Sequence, residues 1–264
     1  MADDRHGTSP NCTWFENWFD SKYYHILYGN RDQAEAELFM NNLIRFLEIP
    51  PRARIHDLCC GKGRHSVFLS SKGFEVTGTD LSEASIQFAK QFENESLNFY
   101  ISDMRTTIRI NYFDLVFNLF TSFGYFASDR EHEEVVRAVH SSLRPGGIFV
   151  LDYLNSSKVK KQLTGNMIKE AEGIRFEIDK SIEKGYINKK ISFSDKGKQY
   201  TFHERVRAYT REELEKILLK NGFEALQFKG NYKLDDFDEE KSDRLIIIGK
   251  KKKLSDLGLS PNSQ

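Results

Sequence analysis

Four residues, Asp57, Gly61, Gly63 and Asp80, have the identity and separation needed to bind a nucleoside. Asp57 lies near the end of the run Arg54-Ile55-His56-Asp57-Leu58, and the glycines follow in Cys59-Cys60-Gly61-Lys62-Gly63-Arg64-His65. This reads as a strand that ends in a carboxylate and turns tightly through two glycines into a helix. Glycine lets the backbone approach a ligand closely, and the helix N-terminus presents N–H groups with no partner in the helix. Asp80 closes a second hydrophobic run, residues 73–80, and stands 19 positions after Gly61. In a βαβ unit that spacing sets a carboxylate beside the turn, where it can accept both hydroxyls of a ribose. The expected ligand contains adenosine.

A dinucleotide would call for a G-x-G-x-x-G pattern, and Ser66 stands at the third glycine position. Asp57 also precedes the turn, where a negative charge gains nothing beside a pyrophosphate. A carboxylate there suits a cationic ligand, such as one carrying an amino group and a sulfonium. The run Asp57-Leu58-Cys59-Cys60-Gly61-Lys62-Gly63 resembles the first motif of class I S-adenosylmethionine-dependent methyltransferases. That family usually has glycine or alanine where Cys59 stands, so Cys59 is expected under the methionine part of the cofactor. The resemblance covers about residues 14–250. It implies S-adenosyl-L-methionine as cofactor and S-adenosyl-L-homocysteine as product. It also implies a doubly wound α/β fold, a Rossmann-like seven-stranded sheet that is mostly parallel with an antiparallel last strand.

Further segments extend the expected site. Ser102-Asp103-Met104-Arg105 follows a third strand, where the Asp103 carboxylate can accept from an adenine amino group while Met104 packs on the ring. Leu81, directly after Asp80, joins the cofactor residues. Asn118 ends a fourth strand at the crevice, and residues 118–125 are similar to a segment of small-molecule N-methyltransferases, including those that dimethylate nucleotide-linked amino sugars. The N-terminal run 14–32 is rich in aromatic residues. By resemblance to amino-sugar and glycine N-methyltransferases it is a lid, with an aromatic face near the sulfonium. Tyr24 would line the pocket, in competition with Tyr23 and Tyr28, and Arg31 would meet the cofactor carboxylate.

The elements that must hold these residues follow from periodicity. Ala36, Leu38, Phe39, Leu43, Ile44 and Leu47 form one helical stripe over 33–48, stopped by Pro50-Pro51. Strands are predicted over 53–58, 74–79, 97–101, 113–118 and 148–152, and helices over 63–72, 83–93 and 129–143. Arg144-Pro145-Gly146-Gly147 reads as a turn. Such alternation implies a mostly parallel sheet with helices on both faces. Residues 174–178, 187–193 and 200–206 alternate with period two, which predicts an inserted antiparallel β subdomain. Thr210 and Glu213 form a capping box for a helix over 211–221, ended by Gly222, before two last strands near 223–228 and 244–248. The expected division is a lid over 1–32, a methyltransferase domain over 33–163 and 209–250, the insert over 164–208, and a flexible tail over 251–264.

Composition narrows the partner. Lys plus Arg and Asp plus Glu are both 39 in 264 residues, so no global basic field favours nucleic acid. Cys59 and Cys60 are adjacent and Cys12 is remote, which gives neither a disulfide framework nor a zinc spacing. No apolar run approaches a membrane span and no signal core opens the chain. We therefore expect a cytoplasmic enzyme without metal or membrane, acting on a small-molecule acceptor, an amine, as a monomer or as a homodimer through the inserted hairpin. The alternatives are a methyltransferase acting on RNA or protein through lysines such as Lys158, Lys160 and Lys161, and a non-catalytic adenosylmethionine-binding protein. Asp152, Tyr153, Tyr125, His203 and Glu204 are candidates for a base, and no spacing singles one out. His56, His65 and His140 read as structural or cofactor-adjacent, and Lys250 to Lys253 as a solvated end.

Overall fold

The computed structural model describes residues 14–29, 33–163 and 165–252. Two short helices, α1 (Trp14–Phe19) and α2 (Lys22–Tyr28), precede α3 (Gln33–Phe46). The chain then alternates through β1 (Arg54–Leu58), α4 (Arg64–Ser71), β2 (Glu75–Asp80), α5 (Glu83–Ala89), β3 (Leu97–Ile101), β4 (Phe113–Asn118), α6 (Asp129–Ser142) and β5 (Leu143–Leu154). After α7 (Ser156–Lys161) come four antiparallel strands, β6 (Asn166–Ala171), β7 (Ile174–Glu183), β8 (Tyr186–Asp195) and β9 (Lys198–Arg207). Helix α8 (Arg211–Lys220) and strands β10 (Phe223–Lys229) and β11 (Arg244–Lys251) complete it.

The main sheet has the order β10-β11-β5-β4-β1-β2-β3. Strand β11 runs antiparallel to both β5 and β10, and the remaining pairs are parallel. Central strands are apolar on both faces because helices cover both. Leu115 and Phe117 of β4 and Ile246 and Ile248 of β11 pack with Phe39, Leu43, Leu69 and Ile86 on one side. Val116, Leu245 and Ile247 pack with Val135, Val139, Leu214 and Leu218 on the other. The chain winds outward from β1 to β3 and returns at β4, so the order reverses between β1 and β4. Ligands of such sheets bind at that reversal, outside the carboxyl ends of the strands.

The second sheet, β6-β7-β8-β9, is the predicted insert. Its apolar face, with Phe176, Ile178, Ile191 and Phe193, packs against Trp18, Tyr23 and Leu27 of the N-terminal helices. Three local readings change. Strand β5 starts at Leu143, so the expected turn at 144–147 lies within it, at an irregularity where the register with β4 shifts and Gly146 takes φ 78°. Helix α7 and strand β6 were not expected, because Ser-Ser-Lys-Val-Lys-Lys carries one apolar residue and an edge strand shows little alternation. Lys251 is not in a solvated tail. It ends β11, is buried, and donates to Asn111 Oδ1, His140 O and Leu143 O at 2.9, 2.7 and 2.8 Å, where its charge complements the end of α6.

Candidate active site

A cleft of about 1530 Å³ runs along the carboxyl ends of β1, β2 and β3 beneath α1 and α2. Tyr24, Asp57, Cys59, Gly61, Asp80, Leu81, Asp103 and Met104 all line it, so the structure gathers residues from four parts of the chain. Gly63 and Asn118 do not line it, and Arg31 lies outside the described residues.

The glycine turn divides its work. Gly61 has φ 55° and no atom within 4 Å of where a Cβ would stand, so its face opens on the cleft. Its N–H is already committed, donating to Asp80 Oδ2 at 2.8 Å. Gly63 was expected at the cofactor, but its own site is filled: a Cβ there would stand 2.6 Å from Cζ of Phe99. The need is helix–strand packing at φ 81°, where glycine alone escapes both clash and strain. Asn118 is fully buried and donates from Nδ2 to Leu58 O at 3.2 Å, tying the ends of β1 and β4 together below the cleft. Cys59, at the position where the resembling motif has a small residue, adopts φ 64°. A side chain in that left-handed conformation costs about 1–2 kcal/mol.

The cleft is lined with carboxylates in three different states. Burial pushes the Asp57 carboxyl up to about 6, opposed by the Ser66 hydroxyl that donates to it at 2.6 Å. Asp80 accepts Gly61 N–H on one oxygen and Ser82 N–H, at 2.9 Å, on the other, which fixes the carboxylate plane while each oxygen keeps a lone pair. At Asp103 burial raises the carboxyl, but the Arg105 side chain, with Nε 3.0 Å from Oδ1 and Nη2 2.5 Å from Oδ2, more than offsets it. The Asp103 carboxyl therefore lies below the usual range and enters the site already paired. Burial, together with Asp80, Asp57 and Asp103, holds the Cys59 thiol well above its ordinary value. The thiol is thereby kept in its protonated, less nucleophilic form.

The N-terminal helices close over this floor through a residue the sequence did not single out. Asp20 Oδ1 accepts from Ser82 Oγ at 2.7 Å and from Ala84 N at 3.2 Å, fastening the α1–α2 turn to the start of α5. The signal was local: an Asp-Ser pair between two aromatic runs is a helix stop followed by a helix cap. Two of the three competing tyrosines have their hydroxyls committed elsewhere. Tyr23 donates to Asp195 and Tyr28 to Glu204, both at 2.8 Å. The Tyr24 ring lies edge-on to Phe19 and Trp18 and faces the cleft.

Beyond Tyr24 lies a second cavity of about 890 Å³, which shares Phe19, Tyr24, Tyr28, Phe120 and Tyr125 with the first. The candidate bases take distinct places around it. Tyr125 lines both cavities and donates to Thr121 O. Tyr153 is fully buried and donates to Arg207 O, and burial drives its hydroxyl far up. Asp152 is fully buried in an ion pair with Arg244 at 2.7 Å. Glu204 is buried and accepts from Trp18 Nε1 at 2.8 Å and Lys189 Nζ at 2.7 Å as well as from Tyr28. His203 is exposed at the rim of the first cleft. His56 is structural, bonded to Thr79 Oγ1 at 2.8 Å and stacked on Phe113, whereas His65 lines the cleft and stacks on Phe120.

The residues present fit S-adenosylmethionine. The open face of Gly61 leaves room where a side chain would project, Asp80 presents a fixed acceptor, and an acidic floor suits a ligand with positive charge. By fold and by the residues gathered in its cleft, the chain is similar to the class I S-adenosylmethionine-dependent methyltransferases. Residues 55–147 match the family model described as a methyltransferase domain. Among curated proteins the chain is 38% identical over 114 residues to the putative methyltransferase YqeM of Bacillus subtilis, covering 42% of this chain and 46% of that one. The match thus spans about half the length of that relative. It is 23% identical over 253 residues to a glycine/sarcosine N-methyltransferase of Parasynechococcus marenigrum, covering 88% and 86% of the two chains. The solved sugar N-methyltransferase KedS8 from a Streptoalloteichus species superposes with a TM-score of 0.70 at 19% identity, over 96% of this chain and 99% of that one, which shows the shared fold. Among the described residues no helix is long and apolar enough to cross a membrane, and no group of His, Cys, Asp and Glu is arranged to hold a metal.

Proposed function

We propose that this protein transfers a methyl group from S-adenosylmethionine to a small-molecule acceptor, an amine. The observation that carries this reading is the pair of adjoining cavities with shared lining residues, one lined by the aspartates of the strand ends and the other lying between the N-terminal helices, the inserted sheet and the start of β11. In this reading Asp80 holds the ribose hydroxyls, Asp57 faces the cationic end, Asp103 and Met104 take the adenine, and Leu81 and Tyr24 cover the ligand. Arg31, expected at the cofactor carboxylate, stays part of the proposal. The bound cofactor supplies an electrophilic methyl carbon on a sulfonium. The chain's own contribution is positioning and exclusion of water, which carry most of the rate in an in-line displacement. Phe19, Tyr24, Phe120 and Tyr125 form the aromatic neck where the two cavities meet, and aromatic faces favour a cation.

The names of the relatives lend support, since one is a glycine/sarcosine and the other a sugar N-methyltransferase. The size of the second cavity agrees, because about 890 Å³ is within the range of small-molecule sites. Calorimetric titration with S-adenosylmethionine and S-adenosylhomocysteine, with NAD as control, tests the cofactor. Micromolar binding of both and none of NAD is expected, and absence of both overturns the reading. Release of adenosylhomocysteine in a screen of amines then separates an enzyme from a non-catalytic binder.

A further inference from the structure

One polar row crosses the otherwise apolar inner face of the inserted sheet. Lys180 of β7 pairs in register with Lys189 of β8, and Lys189 with Glu204 of β9. The rows on either side are apolar: Ile178, Ile191 and Phe202 on one, Ile182, Ile187 and Val206 on the other. All three polar residues line the second cavity.

The charges in this row do not balance. Lys189 and Glu204 are 2.7 Å apart, and the Trp18 and Tyr28 donors supply the rest of what the Glu204 carboxylate accepts. Lys180 is left with a like charge directly across the strand, an arrangement that is destabilising by itself. Among the described residues it makes no hydrogen bond and no ion pair. The other charges on this cavity are settled or at its mouth. Arg244 is paired with Asp152 and Asp243 with Lys158, while Glu35, Lys233 and Asp235 are exposed, where solvent and salt screen them. Among the described residues, Lys180 is therefore a half-buried ammonium facing the second cavity with no partner in contact, drawn only at a distance by the Glu204 carboxylate that Lys189 already pairs.

We propose that Lys180 anchors an anionic group of the methyl acceptor, a carboxylate or a phosphate, by a charge-assisted contact at the floor of the second cavity. This rests on the methyltransferase reading above and deepens it: the acceptor joins an amine, directed at the aromatic neck, to an anion directed at the Lys180–Lys189 row. Burial and Lys189 hold the Lys180 ammonium below its usual range, so an arriving anion relieves both the desolvation and the repulsion. Lys189 cannot take this part alone, because its charge is spent on Glu204.

The full chain is melted with and without saturating S-adenosylhomocysteine, in rising acetate or inorganic phosphate, with chloride as the reference at constant ionic strength. The wild type is expected to gain melting temperature saturably with at least one of the two anions. Saturation by acetate alone points to a carboxylate-bearing acceptor, and by phosphate alone to a phosphoryl-bearing one. Lys180→Met is expected to melt no lower than the wild type without anion, since it removes a repulsion, yet to need about tenfold more anion or more for the same gain. Lys180→Arg keeps the charge and is expected to keep the response. No saturable response in the wild type, or an equal response in Lys180→Met, overturns the proposal. Calorimetry of adenosylhomocysteine on the same samples separates the two readings: binding without an anion response defeats the Lys180 anchor alone, and no binding defeats the methyltransferase reading.

Discussion

Asp152 Oδ1 and Arg244 Nε lie 2.7 Å apart on neighbouring antiparallel strands, with the carboxylate fully buried. The pair does more than neutralise itself. Asp152 Oδ2 accepts the N–H of Phe120 at 2.8 Å, and Arg244 Nη2 donates to Thr121 Oγ1 at 2.8 Å. Phe120 and Thr121 are consecutive non-glycine residues in the left-handed region, with φ 57° and 59°. Two such residues in a row persist only where their surroundings hold them. Phe120 lines both cavities and Thr121 the second, so the ion pair holds the strained turn that shapes the second cavity.

Arg244→Met leaves a buried carboxylate without its cation and is expected to cost about 3–5 kcal/mol by urea denaturation. The double variant Asp152→Asn with Arg244→Met is expected to recover part of that loss. A single-variant loss under about 1 kcal/mol would show that the turn holds itself.

Asp80→Ala removes the proposed ribose acceptor together with the bonds that position Gly61 and Ser82. Adenosylhomocysteine affinity is expected to fall by about 1.5–3 kcal/mol, the range for hydrogen bonds to a charged group. Calorimetry on a variant with unchanged far-ultraviolet circular dichroism checks this, and unchanged affinity removes Asp80 from the site.

The two glycines of the turn are expected to fail in opposite ways. Gly61→Val projects into open cleft, so the chain folds at a cost of about 1–3 kcal/mol for its backbone and loses the ligand. Gly63→Val drives Cβ into the Phe99 ring and is expected to lower the melting temperature far more. The comparison of melting temperature with adenosylhomocysteine binding in the two variants reads the difference directly.

Asp57 predicts a pH dependence with a definite sign. Burial raises its folded value to about 6 from 3.8, so the folded chain holds this proton more tightly than the unfolded one. Its contribution to stability is complete below about pH 3.8 and is lost as the pH rises through about 6, a change of about 3 kcal/mol. The stability difference between wild type and Asp57→Asn should shrink by that order between these limits, and a flat difference would contradict the shift. A cationic ligand favours the carboxylate, so S-adenosylmethionine binding near pH 6 is expected to release protons, visible as a buffer-dependent heat.

Much of this site was legible in the one-dimensional order of residues. Strand and helix periods, Asp57 before the Gly61 turn and Asp80 at the next strand end are local features, because each depends on backbone geometry over a few residues. That locality also explains what stayed hidden. The packing need at Gly63 arises from Phe99, 36 positions later in the chain, which fills the space of a side chain there. Lys251 looked like the start of a solvated end until the close of α6 supplied three oxygens for its ammonium. Helix α7 and strand β6 carried too little periodicity to be seen, and their place is set by what they pack against.

By itself the sequence determined the βα alternation, the position of the glycine turn, the carboxylate at each strand end and the period-two insert, since propensity and spacing act within a few residues. Only the tertiary structure decided that Asp103 is already paired with Arg105, that Asp20 fastens the N-terminal helices to α5, and that Lys180 faces the second cavity beside an ion pair that excludes it. The physical reason is that charge balance, burial and enclosure are sums over groups distant in the chain, and only the folded arrangement brings those groups within each other's field.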